Sequence, residues 1–139
     1  MPSRESEHDV ERMLFSGPTA LGDAVAFARR YALDRGLCER DQARFAIIVE
    51  ELVTNLCEHG GCDGSLPIQL EVKQAQSTLH LSIADQGAPF DPRVFRDGVV
   101  PERGGGAGLA LVNSWTDVLD YNSSEGVNQL RLSMPLASE

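Results

Sequence analysis

The hydrophobic period of this 139-residue chain changes across residues 60–67, and that change restricts the class of fold. From residue 19 to Gly60 and Gly61 the apolar residues recur three and four apart; from Ile68 to Ile83 they alternate. Leu21, Val25, Ala28 and Ala32 trace one helical stripe within residues 19–35, with Pro18 near its start and Gly36 just past its end. Phe45, Ile48, Val49, Leu52 and Leu56 trace a second stripe over residues 39–59, which stops at the two glycines. Ile68, Leu70 and Val72, then Leu79, Leu81 and Ile83, alternate as half-buried strands do and predict two adjacent antiparallel strands. Glu71, Lys73, His80 and Ser82 fall between them and provide a polar outer face. A short strand over residues 10–15, a helix over 108–115 carried by Leu109, Leu111 and Val112, and two last strands over 118–121 and 127–134 complete the set. Helices followed by strands, without regular alternation, predict an α+β two-layer sandwich: one mixed, mostly antiparallel sheet covered by helices.

One domain over residues 9–136 is expected, preceded by a loose polar tail at 1–8. Residues 86–107 hold Gly, Pro and Arg without a sustained period, and a stretch of that length reads as a mobile lid with a function.

Charge removes several function classes. Twelve basic and 21 acidic side chains give −9, a balance that argues against non-specific nucleic-acid binding and against anionic membrane surfaces. Lys73 is the sole lysine and lies far from any glycine run, which excludes a Walker A loop and a protein-kinase fold. No apolar run approaches the ~20 residues of a membrane span, and the polar start lacks the apolar stretch of a signal peptide. Three cysteines, Cys38, Cys57 and Cys62, cannot all pair within one chain, so a reduced, cytoplasmic setting is expected.

Three clusters carry chemistry. In EELVTNLCEHG, Glu51, Asn55 and His59 are spaced four apart and lie along one edge of the second helix, bordering its apolar stripe. Such a row is either a solvated helix edge or a polar line meeting a ligand between helix and sheet, where an Asn oxygen suits Mg²⁺. In IADQGAPFDP a strand ends at Asp85 and turns at Gly87: Asp85 is either a turn former or a carboxylate accepting from an amino group on a flat ring that Gly87 lets approach. In ERGGGAGLALVN a glycine run opens into an apolar helix; it is either a flexible joint or a phosphate site built from freed backbone N–H groups, with no lysine required.

Taken in order, E-x-x-x-N-x-x-x-H, D-x-G-x-P-F-D-P and G-G-x-G-L resemble the ATP-binding fold shared by gyrase-type ATPases, histidine kinases, MutL and a class of heat-shock chaperones. Within it, V-T-N-x-x-x-H-G, Pro89-Phe90-Asp91-Pro92 and G-V-N-Q-L are most similar to the anti-sigma-factor serine kinases of bacterial partner switching. The resemblance implies ATP and Mg²⁺ as cofactors, Glu51 as the catalytic acidic residue and Asn55 as the Mg²⁺ holder. It places His59 near the phosphates, Asp85 and Gly87 at adenine, and Arg103 at the terminal phosphate. Gly104, Gly105, Gly106, Ala107, Gly108 and Leu109 fall in the glycine box, and Asn128 borders adenine. It further implies serine/threonine phosphorylation of a STAS-type antagonist, sequestration of a sigma factor or another regulatory protein, and homodimerisation as a common property of such proteins. The helical hairpin and phosphorylatable histidine of a sensor kinase are not expected.

Two competing readings belong beside this one. Cys57, His59, Cys62 and Asp63 could form a metal group, but structural zinc normally closes four ligands in two pairs, and Cys57 reads as a small core residue. Alternatively the chain binds ATP or ADP without transferring phosphate and uses the nucleotide to grip or release a partner.

Overall fold

A computed structural model describes residues 10–59, 67–87, 89 and 106–137. Five strands and three helices follow one another as β1 (Glu11–Phe15), α1 (Ala20–Asp34), α2 (Glu39–His59), β2 (Ile68–Ala75), β3 (Thr78–Asp85), α3 (Gly106–Trp115), β4 (Asp117–Ser124) and β5 (Val127–Pro135). The sheet has the order β1-β2-β3-β5-β4 and each of its four pairings is antiparallel. Helix α3 therefore carries the chain from β3 across to the edge strand β4, and β5 returns to fill the place between them. The expected α+β sandwich is what forms, and no parallel pairing occurs among the described residues.

Alternation puts Ile68, Leu70, Val72, Leu79, Leu81, Ile83, Leu130, Leu132 and Met134 on the helix-covered face, all buried. The other face is polar across β2 and β3 as their sequence predicts, with Leu14 and Leu119 exposed on the edge strands. Arg12 on β1 pairs with Glu71 on β2 at 2.6 Å, and Arg131 on β5 pairs with Asp120 on β4 at 3.2 Å. Lys73 and His80 stand opposite each other on this same outer side.

Helix α1 buries Ala20, Ala24, Phe27, Ala28, Tyr31 and Ala32. Of the predicted stripe Ala28 and Ala32 are buried, whereas Leu21 is exposed and Val25 half-buried, so the contact face is rotated towards Ala24, Phe27 and Tyr31. The reason is steric: small alanines let α1 approach α2 closely while two aromatic rings fill the space that remains. Those rings belong to a chain of edge and tilted contacts, Phe15–Phe27–Tyr31–Phe45, with centroids 6.0–6.3 Å apart, which links β1 to both helices.

Helix α2 runs over Glu39–His59, the residues its sequence predicts, and buries Phe45, Ile48, Val49, Leu52 and Val53. Cys57 corrects the sequence reading, for it is exposed rather than part of the core. Four residues connect α1 to α2, so the two are antiparallel neighbours, and α2 is 21 residues long against 15. At 1.5 Å per residue α2 overhangs by about 9 Å, and Cys57 lies on that overhang.

At the opposite end of the sheet Asp41, 2% exposed, ties the C-terminal segment down. Its Oδ2 accepts from the Ala137 N–H at 2.8 Å, its Oδ1 from the Arg40 guanidinium at 3.0 Å, and the Leu136 N–H donates to the Ser77 carbonyl at 2.8 Å. Asp41→Ala removes the acceptor of the half-buried Ala137 N–H and the anchor of the C-terminal segment, and is expected to cost about 1–3 kcal/mol, read as a lower urea midpoint at unchanged slope. Among the described residues no helix is long and apolar enough to cross a membrane.

Candidate functional site

The overhang of α2 is where the polar row stands. Leu52, Asn55 and Leu56 from α2 face Ile83 and Asp85 of β3, Tyr121 of β4 and Leu130 of β5 across one cavity. Asn55 is 8% exposed and Asp85 6%, so both polar groups are buried in the cavity wall. Their placement at one site is what a ligand lodged between helix and sheet requires. The room for water inside is about 20 Å³, enough for one molecule. A flat heterocycle needs several times that, and Leu56 and Tyr121 are the half-buried side chains of the lining.

At the floor, Asp85 Oδ2 accepts the Gly87 N–H at 2.8 Å, the two-residues-on bond of an Asp turn. Asn128 Nδ2 donates to the Gly87 carbonyl at 2.7 Å and to the same Asp85 oxygen at 3.3 Å. The turn-forming and ligand-facing readings of Asp85 are thus compatible: one oxygen shapes the turn while the carboxylate lines the cavity.

At the rim, Glu51 meets the start of α3. A Cβ built on Gly108 would fall on the Glu51 carboxylate, so only glycine permits this approach without displacing it. Helix α3 runs antiparallel to α2, because Gly108 lies at Glu51 while Trp115, seven residues on, has its ring under the Arg44 guanidinium at 4.8 Å. Leu109 and Val112 are buried beneath α3, whereas Leu111 points outward. Burial, first, and then the neighbouring Glu50 and Glu58 carboxylates raise the Glu51 pKa above its ordinary value. A carboxylate poised this way is suited to accepting a proton.

The other expected site residues divide by position. His59 ends α2, and Gly106 and Ala107 open α3. Arg103, Gly104 and Gly105, most of the lid at 86–107, and the tail at 1–8 lie outside the described residues, as do Cys62 and Asp63 of the suggested metal group. Among the described residues no group of three or more His, Cys, Asp or Glu could hold a metal ion.

Asn55 and the strand-end Asp85 line one cavity, Glu51 stands one helical turn from Asn55 against the glycine-opened helix, and residues 16–134 match the histidine kinase-like ATPase domain. The chain belongs to this family. Within it, the chain is similar to the serine/threonine-protein kinase BtrW of Bordetella bronchiseptica, 27% identical over 140 residues, covering 96% of this chain and 98% of that one. Among solved structures, the RsbU and RsbW domains of Rv1364c from Mycobacterium tuberculosis match with a TM-score of 0.65 at 17% identity. That match covers 94% of this chain and 33% of the other, so this chain spans about a third of that one's length. The SiaB-SiaC complex from Pseudomonas aeruginosa matches with a TM-score of 0.56 at 13% identity, over 96% and 95% of the two chains. The solved neighbours establish the shared ATPase-like α+β fold.

Sequence reasoning missed Tyr121 and Ser123. Ser123 Oγ donates to Asn128 Oδ1 at 2.6 Å and completes the polar group at the floor. The signal was available in the hairpin. A two-residue turn at Glu125 and Gly126, both with positive φ, sets Ser124 against Val127 and Ser123 against Asn128.

Proposed function

We propose that this protein is an ATP-dependent serine/threonine kinase and anti-sigma-type regulator, acting in the cytoplasm. It phosphorylates a small STAS-type antagonist and holds or releases a sigma factor or another regulatory protein according to the antagonist's state. The observation that carries the reading is the meeting of Glu51 with the glycine start of α3, one helical turn along α2 from the buried Asn55 that lines a cavity with Asp85. The likeness to BtrW, a serine/threonine-protein kinase, supports the activity, and the likeness to a protein solved in the SiaB-SiaC complex supports a protein partner.

In this reading Asp85 accepts a hydrogen bond from the adenine amino group, and the backbone N–H groups opening α3 receive phosphate oxygens. Mg²⁺ fits the donor set, because Asn55 offers a neutral, hard amide oxygen on the cavity wall. When bound there it neutralises charge on the phosphates. Glu51 accepts the proton of the substrate hydroxyl as its oxygen forms the new bond to the γ-phosphorus and the bond to the β-bridging oxygen breaks, leaving ADP.

Asn55→Ala is expected to weaken Mg-ADP binding about tenfold or more. Lys73→Ala, on the far face of the sheet, leaves affinity within about twofold of wild type, the limit set by an unchanged set of site contacts; calorimetry reads both. The function itself is tested by incubating the protein with γ-labelled ATP and a serine-bearing STAS antagonist. Label recovered as phosphoserine supports the kinase. Nucleotide binding with no transfer to any cognate antagonist leaves a switch without catalysis.

A further inference from the structure

Asp85, Asn128 and Ser123 are direct cross-strand partners on β3, β5 and β4, so one rung of the sheet ends in three adjacent polar side chains. Their hydrogen bonds have only one consistent direction. The Gly87 carbonyl and the Asp85 carboxylate can only accept, so the Asn128 amide must turn its NH₂ towards them. Its oxygen then faces Ser123, whose hydroxyl has to donate, and does so at 2.6 Å. Two amide hydrogens serve two acceptors, which leaves Asn128, 3% exposed, without a hydrogen to offer a base. The Gly87 N–H donates to the same Asp85 oxygen, Oδ2, that Asn128 reaches. No hydrogen bond among the described residues falls on Asp85 Oδ1.

We propose that Asn128 is a positioning residue and Ser123 its orienting partner, and that together they hold the Asp85 carboxylate in the orientation that selects a base with an exocyclic amine over one with a carbonyl at that position. This rests on the adenine reading of Asp85 given above and names what sets its selectivity. A carboxylate clamped through one oxygen presents the other as a fixed acceptor, which an amine satisfies and a carbonyl oxygen opposes. Released from Asn128, the carboxylate can turn, and the penalty against a carbonyl falls. Ser123 sits at an exposed position, so its replacement tests the relay with little disturbance of the core.

The experiment is calorimetric titration of the whole chain with Mg-ADP and Mg-IDP, whose bases differ along the edge that bears the six-position amine or carbonyl. Wild type is expected to prefer ADP by about 100-fold or more, Asn128→Ala to lose at least about tenfold of that ratio, and Ser123→Ala about three- to tenfold. Ser123→Thr keeps the hydroxyl and should restore the ratio to within about twofold of wild type, because the orienting donor is retained. A residue with a merely structural part would weaken both nucleotides together. An unchanged ratio in Asn128→Ala and Ser123→Ala therefore overturns the proposal. So does a ratio lost in Asn128→Ala but intact in Ser123→Ala, which would make Asn128 a base contact in its own right. Absence of ADP binding by wild type is a different result: it removes the nucleotide reading and this proposal with it.

Discussion

Glu51→Gln is expected to bind Mg-ADP nearly as wild type does while losing about 10²- to 10⁴-fold in phosphate transfer, the range for removal of a general base. Glutamine keeps the size and one hydrogen-bonding oxygen of the side chain but cannot take a proton. The raised pKa of Glu51 adds a signature in pH. Wild-type transfer should fall on the acid side through an ionisation displaced upward from the ordinary glutamate value of 4.5, and the residual activity of the variant should lack that limb. Stability moves in the opposite sense. A carboxyl whose pKa is raised on folding favours the folded state below its ordinary value, and that contribution is lost as pH rises through the raised one. Near neutrality the ionised group is a burden beside Glu50 and Glu58, so the glutamine variant should melt slightly higher, by about a degree or two. Loss of transfer together with a lowered melting temperature would contradict this account of Glu51.

Gly108→Ala is expected to give the second large effect, again with function and stability separated. The new methyl group would occupy the place of the Glu51 carboxylate. That carboxylate is the far end of a flexible side chain, so it can swing aside and α3 need not leave α2. Alanine also favours a helix over glycine by up to about 1 kcal/mol, which offsets part of the crowding. Melting temperature should therefore change by only a few degrees, while transfer falls about 100-fold, the cost of a misplaced catalytic group. A variant that transfers phosphate at the wild-type rate would show that Glu51 does not act from this position. Paired with Glu51→Gln, it should be no worse than Glu51→Gln alone, because both remove the same proton acceptor.

How much of this was legible in the sequence depends on the range of the contact involved. Helix α2 could be read end to end because its stripe is long and two glycines stop it. The β2–β3 hairpin could be read from alternation alone, with Lys73 and His80 assigned to the outer face where they lie. The buried face of α1 is half legible: Ala28 and Ala32 lie on the predicted stripe, but the seating of Phe27 and Tyr31 against α2 rotates the contact away from Leu21 and Val25. Cys57 is exposed against expectation because its environment is decided by where α1 begins rather than by the period of α2. The juxtaposition of Glu51 with Gly108 depends on how α3 seats on α2, a contact between segments more than fifty residues apart that no local pattern encodes. Ser123 is intermediate: the hairpin turn determines its partner, but its use becomes visible only with Asn128 bonded to Asp85.

Every functional step above requires adenine to sit at Asp85. The most direct measurement is calorimetric titration of Mg-ADP into the wild-type chain and into Asp85→Asn, which keeps the shape of the side chain but presents an amide in place of the carboxylate. Saturable binding at one nucleotide per chain, abolished in Asp85→Asn, is the predicted result. Undiminished binding in the variant would contradict the adenine assignment, and no binding by the wild type would contradict nucleotide recognition altogether.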